Sequence, residues 1–105
     1  MNNYAYPLRD HWTKEDIALV INFLVAVEEC YQEGLALSRL QSTYRGFKEV
    51  VPSKGEEKQI DREFEDGTGY SSYQVVKAMK TALQSKAPDD YKISCLLYTS
   101  PSPRD

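Results

Sequence analysis

An apolar run from Ile17 to Val27, broken only by Asn22, constrains this chain more than any other feature. Directly before it stands Trp12-Thr13-Lys14-Glu15-Asp16, which reads as a helix start. The Thr13 hydroxyl is placed to accept from the Asp16 amide, and the Asp16 carboxylate to accept from the Thr13 amide, a reciprocal capping box. Trp12 can staple onto Ile17, Glu15 and Asp16 fall in the first turn where the helix dipole favours acids, and Gly34 supplies a stop after Glu33. The pattern predicts a helix over residues 14–32. Its middle is apolar nearly all round, so it should lie between other helices rather than against one. Its β-branched residues would also suit a strand, but length and caps argue for helix.

Three more helices follow from the same signals. Ser38 with Gln41 marks a second start, and Leu40, Tyr44, Phe47 and Val51 recur at helical spacing, giving a helix to about Val50 that Pro52 ends. Ser53 with Glu56 begins a third helix, residues 54–65, whose strong apolar anchors are Ile60 and Phe64 and which should therefore lie on the surface. Gly67-Thr68-Gly69 reads as a turn. Tyr70-Ser71, followed by Gln74 and Val75, opens a fourth helix over 72–85 with Val76, Met79 and Leu83 turned inward, and Pro88-Asp89-Asp90 closes the folded part. The expected fold is all-α: a compact bundle of three to four helices forming a single domain over residues 1–94.

The apolar run is well short of the roughly 20 residues that span a bilayer. Residues 1–8 lack the basic start and apolar stretch of a secretory signal, so a cytoplasmic location without membrane attachment is expected. A net charge of −3 gives no general attraction to phosphate backbones or anionic lipid, and such binding would need a local patch. Residues 95–105, Cys-Leu-Leu-Tyr-Thr-Ser-Pro-Ser-Pro-Arg-Asp, have neither helical nor strand periodicity. This string resembles one reading frame of a transposase-library sequencing adapter, and it is expected to be a disordered, non-native tail. Discounting it leaves Cys30 as the single cysteine, and a structural disulfide is not expected.

Catalytic signals are sparse. His11 is the one histidine and has no Cys or carboxylate at ligand spacing around it, so no metal site is expected. Cys30 falls in the last turn of the first helix, where the dipole disfavours a thiolate. Gly67-Thr68-Gly69-Tyr70-Ser71 lacks the lysine and the preceding strand of a phosphate loop. Gly46, in mid-helix, points to close packing against another helix. The most patterned surface is the third helix, with a basic stripe of Lys54, Lys58 and Arg62 beside an acidic stripe of Glu57, Asp61 and Glu65. Each base is placed to pair with the acid three residues on. Arg45 and Lys48 near the end of the second helix extend the basic edge.

Tyr44-Arg45-Gly46-Phe47-Lys48-Glu49-Val50-Val51-Pro52-Ser53-Lys54-Gly55-Glu56-Glu57-Lys58, then Phe64-Glu65 and Gly69-Tyr70-Ser71-Ser72-Tyr73, resemble Uncharacterised Protein Family 0223, short proteins of the Firmicutes. Tyr6-Pro7-Leu8 and Trp12-Thr13-Lys14-Glu15-Asp16 are similar to the family's opening. The likeness spans roughly residues 4–85 and departs at Arg9 and His11, where acids are usual, and at Thr68, where serine is common. It implies a small all-helical bundle of the bacterial cytoplasm and carries no activity with it.

Together these signals lead to an interaction or regulatory protein with no catalytic residue and no cofactor, binding an unidentified protein. The candidate surface is Arg45, Lys48, Lys54, Lys58 and Arg62, with Tyr70 and Tyr73 as aromatic anchors. The alternative is nucleic-acid binding, with the third and fourth helices as a helix-turn-helix in which Ser71, Ser72, Gln74 and Lys77 face the bases or phosphates. The acidic balance and the lack of arginine at the start of the fourth helix count against it.

Overall fold

A computed structural model describes residues 8–94, so Tyr4, Tyr6 and the 95–105 tail lie outside the described residues. Helix α1, Lys14–Gln32, has the expected bounds and the expected box: the Asp16 amide donates to Thr13 Oγ1 (3.1 Å), and the Thr13 amide to Asp16 Oδ2 (3.2 Å). Trp12 is buried and joins the same core as Ile17. Helix α2 is Leu37–Val50, α3 is Lys54–Thr68 and α4 is Ser72–Gln84. Two short strands, β1 (Leu35–Ala36) and β2 (Lys92–Ile93), pair antiparallel with Leu35 opposite Ile93.

The core is one cluster. Val20, Phe23, Leu24, Val27 and Cys30 of α1 meet Leu37, Leu40 and Phe47 of α2, Ile60 and Phe64 of α3, and Val75, Val76 and Met79 of α4. Helix α1 packs chiefly on α2, and α4 lies against α1, α2 and α3. Phe23 and Phe47 stack at 4.7 Å between ring centroids, and Tyr44 tilts onto Phe23 at 5.4 Å. Gly46 faces α1, where a methyl group would come within 2.9 Å of Leu19 Cδ2, so the absent side chain admits the close packing read from the sequence. No helix is long and apolar enough to cross a membrane among the described residues.

Four local expectations are corrected. Helix α2 starts at Leu37, not at a Ser38 cap: its first amides are taken by the returning chain, Leu37 N–H donating to Tyr91 O (2.7 Å) and Ser38 N–H to Asp89 O (3.0 Å). Helix α3 runs three residues beyond Glu65, because Thr68 Oγ1 donates to Phe64 O (2.8 Å) and Gly69, at φ +83°, provides the left-handed stop. On α4 the inward residue of the last turn is Ala82, while Leu83 is 38% exposed. The folded part continues past Pro88-Asp89-Asp90 to Ile93, which is buried in the core.

Gly34 joins α1 to β1, the partner of the closing strand β2. Its φ of +92° disfavours any side chain, and a Cβ there would meet the Lys92 side chain at 2.6 Å. Gly34→Ala is expected to cost about 1–2 kcal/mol from the backbone alone. It should also loosen the β1–β2 pairing, visible as faster hydrogen exchange at Leu37 and Ser38 than at Leu24.

Candidate functional site

Helix α3 positions the site. With Ile60 and Phe64 inward, the acids flanking that stripe reach the neighbouring helices instead of pairing along α3. Glu57 accepts from Lys48 Nζ of α2 at 2.7 Å and from the Tyr44 hydroxyl at 3.1 Å. Asp61 Oδ1 accepts from the buried Ser72 hydroxyl at 2.6 Å and from the Tyr73 amide at 3.0 Å, so it caps the start of α4 together with Ser71, whose hydroxyl accepts from the Gln74 amide. The expected i, i+3 pairs along α3 are therefore not formed: Lys54, Lys58 and Arg62 make no ion pair among the described residues. The outer flank of α3 is tied differently, by Arg9, whose guanidinium donates two bonds to Glu63 (3.1 and 3.2 Å) and approaches Glu56.

Between α2, α3 and α4 lies a groove of ≈ 290 Å³. Val76 and Tyr44 form its apolar floor, Tyr73 stands 59% exposed at its edge, and Lys54, Lys58 and Lys80 rim it. A shallow trough continues from it along α4, past Lys77 to Gln84. Lys48 and Glu57 form one wall and neutralise each other, which leaves the three rim lysines to set the sign of the groove.

Burial raises the Tyr44 hydroxyl from 10.0 to about 12, helped by the negative charge of Glu57 and by the hydrogen bond to it. The unfolded chain loses this proton near pH 10 and the folded chain near pH 12. The resulting stabilisation is complete below pH 10 and is lost as pH rises toward 12. Urea unfolding across that interval should show an alkaline loss of about 1–2 kcal/mol that is absent in Tyr44→Phe.

Of the residues singled out in the sequence, Lys48, Lys54, Lys58 and Tyr73 come together in the groove, joined by Ser72 of the nucleic-acid alternative. Arg45 and Arg62 are exposed but outside its lining, and Tyr70 is half-buried, its ring stacked on Tyr31 at 4.7 Å. Tyr44, Glu57, Val76 and Lys80 were missed as site residues. Lys80 was recoverable, since it lies four residues from Val76 and seven from Tyr73 on one face of α4.

Asn22, Cys30 and His11 lie outside the groove lining. Asn22 is exposed, and Cys30 is buried. His11 rests edge-on to Trp12 at 6.0 Å. Among the described residues no group of three or more His, Cys, Asp or Glu side chains could hold a metal ion. A polar recess of ≈ 550 Å³ at the α3–α4 turn is lined by Tyr31, Asp61, Glu65 and Ser71. There the Ser71 amide donates to the Tyr31 hydroxyl at 3.2 Å.

Residues 3–87 match the profile of an uncharacterised protein family, UPF0223. The chain belongs to this family. A UPF0223 protein of Listeria monocytogenes is 47% identical over 83 residues, covering 79% of this chain and 92% of the relative. One of Listeria welshimeri is 46% identical over 83 residues, with the same coverage. One of Streptococcus agalactiae is 51% identical over 77 residues, covering 73% and 83%. These organisms fit the Firmicutes resemblance. Every residue lining the groove lies inside the UPF0223 match, whereas β2 lies beyond it.

Proposed function

We propose that this UPF0223 chain is a non-catalytic, cytoplasmic interaction module that binds another protein through the groove between α2, α3 and α4. The observation that carries the reading is the exposed ring of Tyr73 beside an apolar floor and three cationic side chains without ion-pair partners among the described residues. Aromatic anchors within a charged rim are what protein interfaces favour. A nucleic-acid interface is poorly supported. Ser72 is buried on Asp61, Ser71 caps α4, and the carboxylates of Asp61 and Glu65 stand at the start of the helix that would approach phosphates.

The test is affinity capture from a Firmicutes lysate with the full chain and with the double variant Lys54→Glu and Lys58→Glu, with and without nuclease. A protein recovered with the unaltered chain under both conditions and lost with the variant is the expected result. Identical protein sets from the two chains would overturn the assignment of the groove.

A further inference from the structure

We propose that the groove takes an acidic segment of a partner protein, with one apolar side chain seated on Val76 beside Tyr73 and carboxylates on Lys54, Lys58 and Lys80. This rests on the protein-binding reading above and specifies the chemistry of the occupant.

Charge complementarity selects it. The chain as a whole carries −3, yet its groove and trough present Lys54, Lys58, Lys77 and Lys80 with no ion pair among the described residues, a local reversal of sign. Such a patch steers acidic partners and repels copies of basic ones. The apolar floor is small, which suits one aliphatic or aromatic anchor rather than a broad hydrophobic face. From Tyr73 to Gln84 the trough follows α4 for roughly 16 Å, about three turns of a helix. A segment of that length can therefore satisfy the rim lysines while its anchor fills the floor.

Glu57 is the one acid lining the groove, and it occupies Lys48. Carboxylates seated on Lys54, Lys58 and Lys80 would lie in the same groove as the negative charge of Glu57. The substitution Glu57→Gln keeps an acceptor for the Tyr44 hydroxyl while releasing Lys48, so it raises the charge of the groove by one unit without emptying the site. A residue needed only for folding would, when replaced, leave binding unchanged or weaker. Here binding should tighten.

The experiment is fluorescence anisotropy with the full chain and three labelled probes: a helical peptide of about twelve residues with glutamates around a leucine stripe, its glutamine counterpart, and a single-stranded oligonucleotide of equal charge. The acidic peptide should bind best and weaken with salt. Lys54→Glu with Lys58→Glu should weaken it roughly tenfold or more, and Glu57→Gln should tighten it about 2–5-fold, with circular dichroism verifying that both variants fold. Equal binding of the acidic and glutamine peptides, tighter binding of the oligonucleotide, or weakening by Glu57→Gln would overturn the proposal. Absence of peptide binding would overturn it too. The broader protein-binding reading would survive that absence if lysate capture still depended on Lys54 and Lys58.

Discussion

Phe47→Ala is expected to remove about 3–5 kcal/mol of folding free energy, the usual range for truncating a buried phenylalanine. Phe47 is 2% exposed, and its ring stacks on Phe23 at 4.7 Å where α1 meets α2. Truncation forfeits the transfer energy of the ring, leaves a cavity that two packed helices cannot collapse around, and breaks the aromatic pair. A domain of this size is stable by about 5–10 kcal/mol, so roughly half would be lost. Urea unfolding should show the midpoint falling with little change in slope, and Phe47→Leu should recover part of the loss. The consequence reaches the groove, because Phe47 lies against Tyr44 at 6.2 Å. With the Phe47 ring gone the Tyr44 hydroxyl should titrate closer to its ordinary value of 10.0, which an ultraviolet titration of the folded variant would detect. A loss below about 1 kcal/mol would mean that Phe47 does not hold α1 to α2.

How much of this arrangement could be read from the sequence depended on how local each signal was. The bounds of α1 were legible because Thr13, Asp16 and Gly34 lie within or beside the helix they delimit. The start of α2 was not: Ser38 has the composition of a cap, but the amides of Leu37 and Ser38 are satisfied by Tyr91 and Asp89 from the far end of the chain. Gly67 looked like a helix breaker, yet α3 continues through it because Gly69 accommodates the left-handed stop that Gly67 would otherwise have provided. The two charged stripes of α3 were visible at their spacing, whereas what each stripe meets was not. Glu57 and Asp61 could satisfy their charge along the helix or across to α2 and α4, and the burial of Ser72 and half-burial of Tyr44 favour the second because it supplies partners to groups shielded from water. The candidate groove was half legible for the same reason. Lys54 and Lys58 share a helix face, while Tyr44, Val76 and Lys80 join them only through tertiary packing.

Asp61→Ala should be the most costly change among the charged residues, about 2–4 kcal/mol. One oxygen, Oδ1, accepts from both the Ser72 hydroxyl at 2.6 Å and the Tyr73 amide at 3.0 Å. Hydrogen bonds to a charged acceptor contribute about 1.5–3 kcal/mol, and the carboxylate also interacts favourably with the N-terminal end of the α4 dipole. Removing it strands the hydroxyl of Ser72, a residue only 6% exposed, which adds a desolvation penalty. Asp61→Asn separates the contributions: its amide oxygen can still accept, so it should lose the charge-dependent part and retain the rest. Asp61→Ala combined with Ser72→Ala should be less destabilising than the sum of the two single changes, because the second deletion removes the stranded group. Strict additivity in that double-mutant cycle would show that Asp61 and Ser72 are not coupled. The same variant bears on the proposed binding, since Asp61 accepts from the Tyr73 amide in the first turn of α4, and Tyr73 lines the groove. At temperatures where Asp61→Ala remains folded, hydrogen exchange should accelerate in the first turn of α4 before it does in α1. The binding proposed through Tyr73 should then weaken with Lys54, Lys58 and Lys80 all in place, because a fraying first turn must be reordered before the ring can be presented.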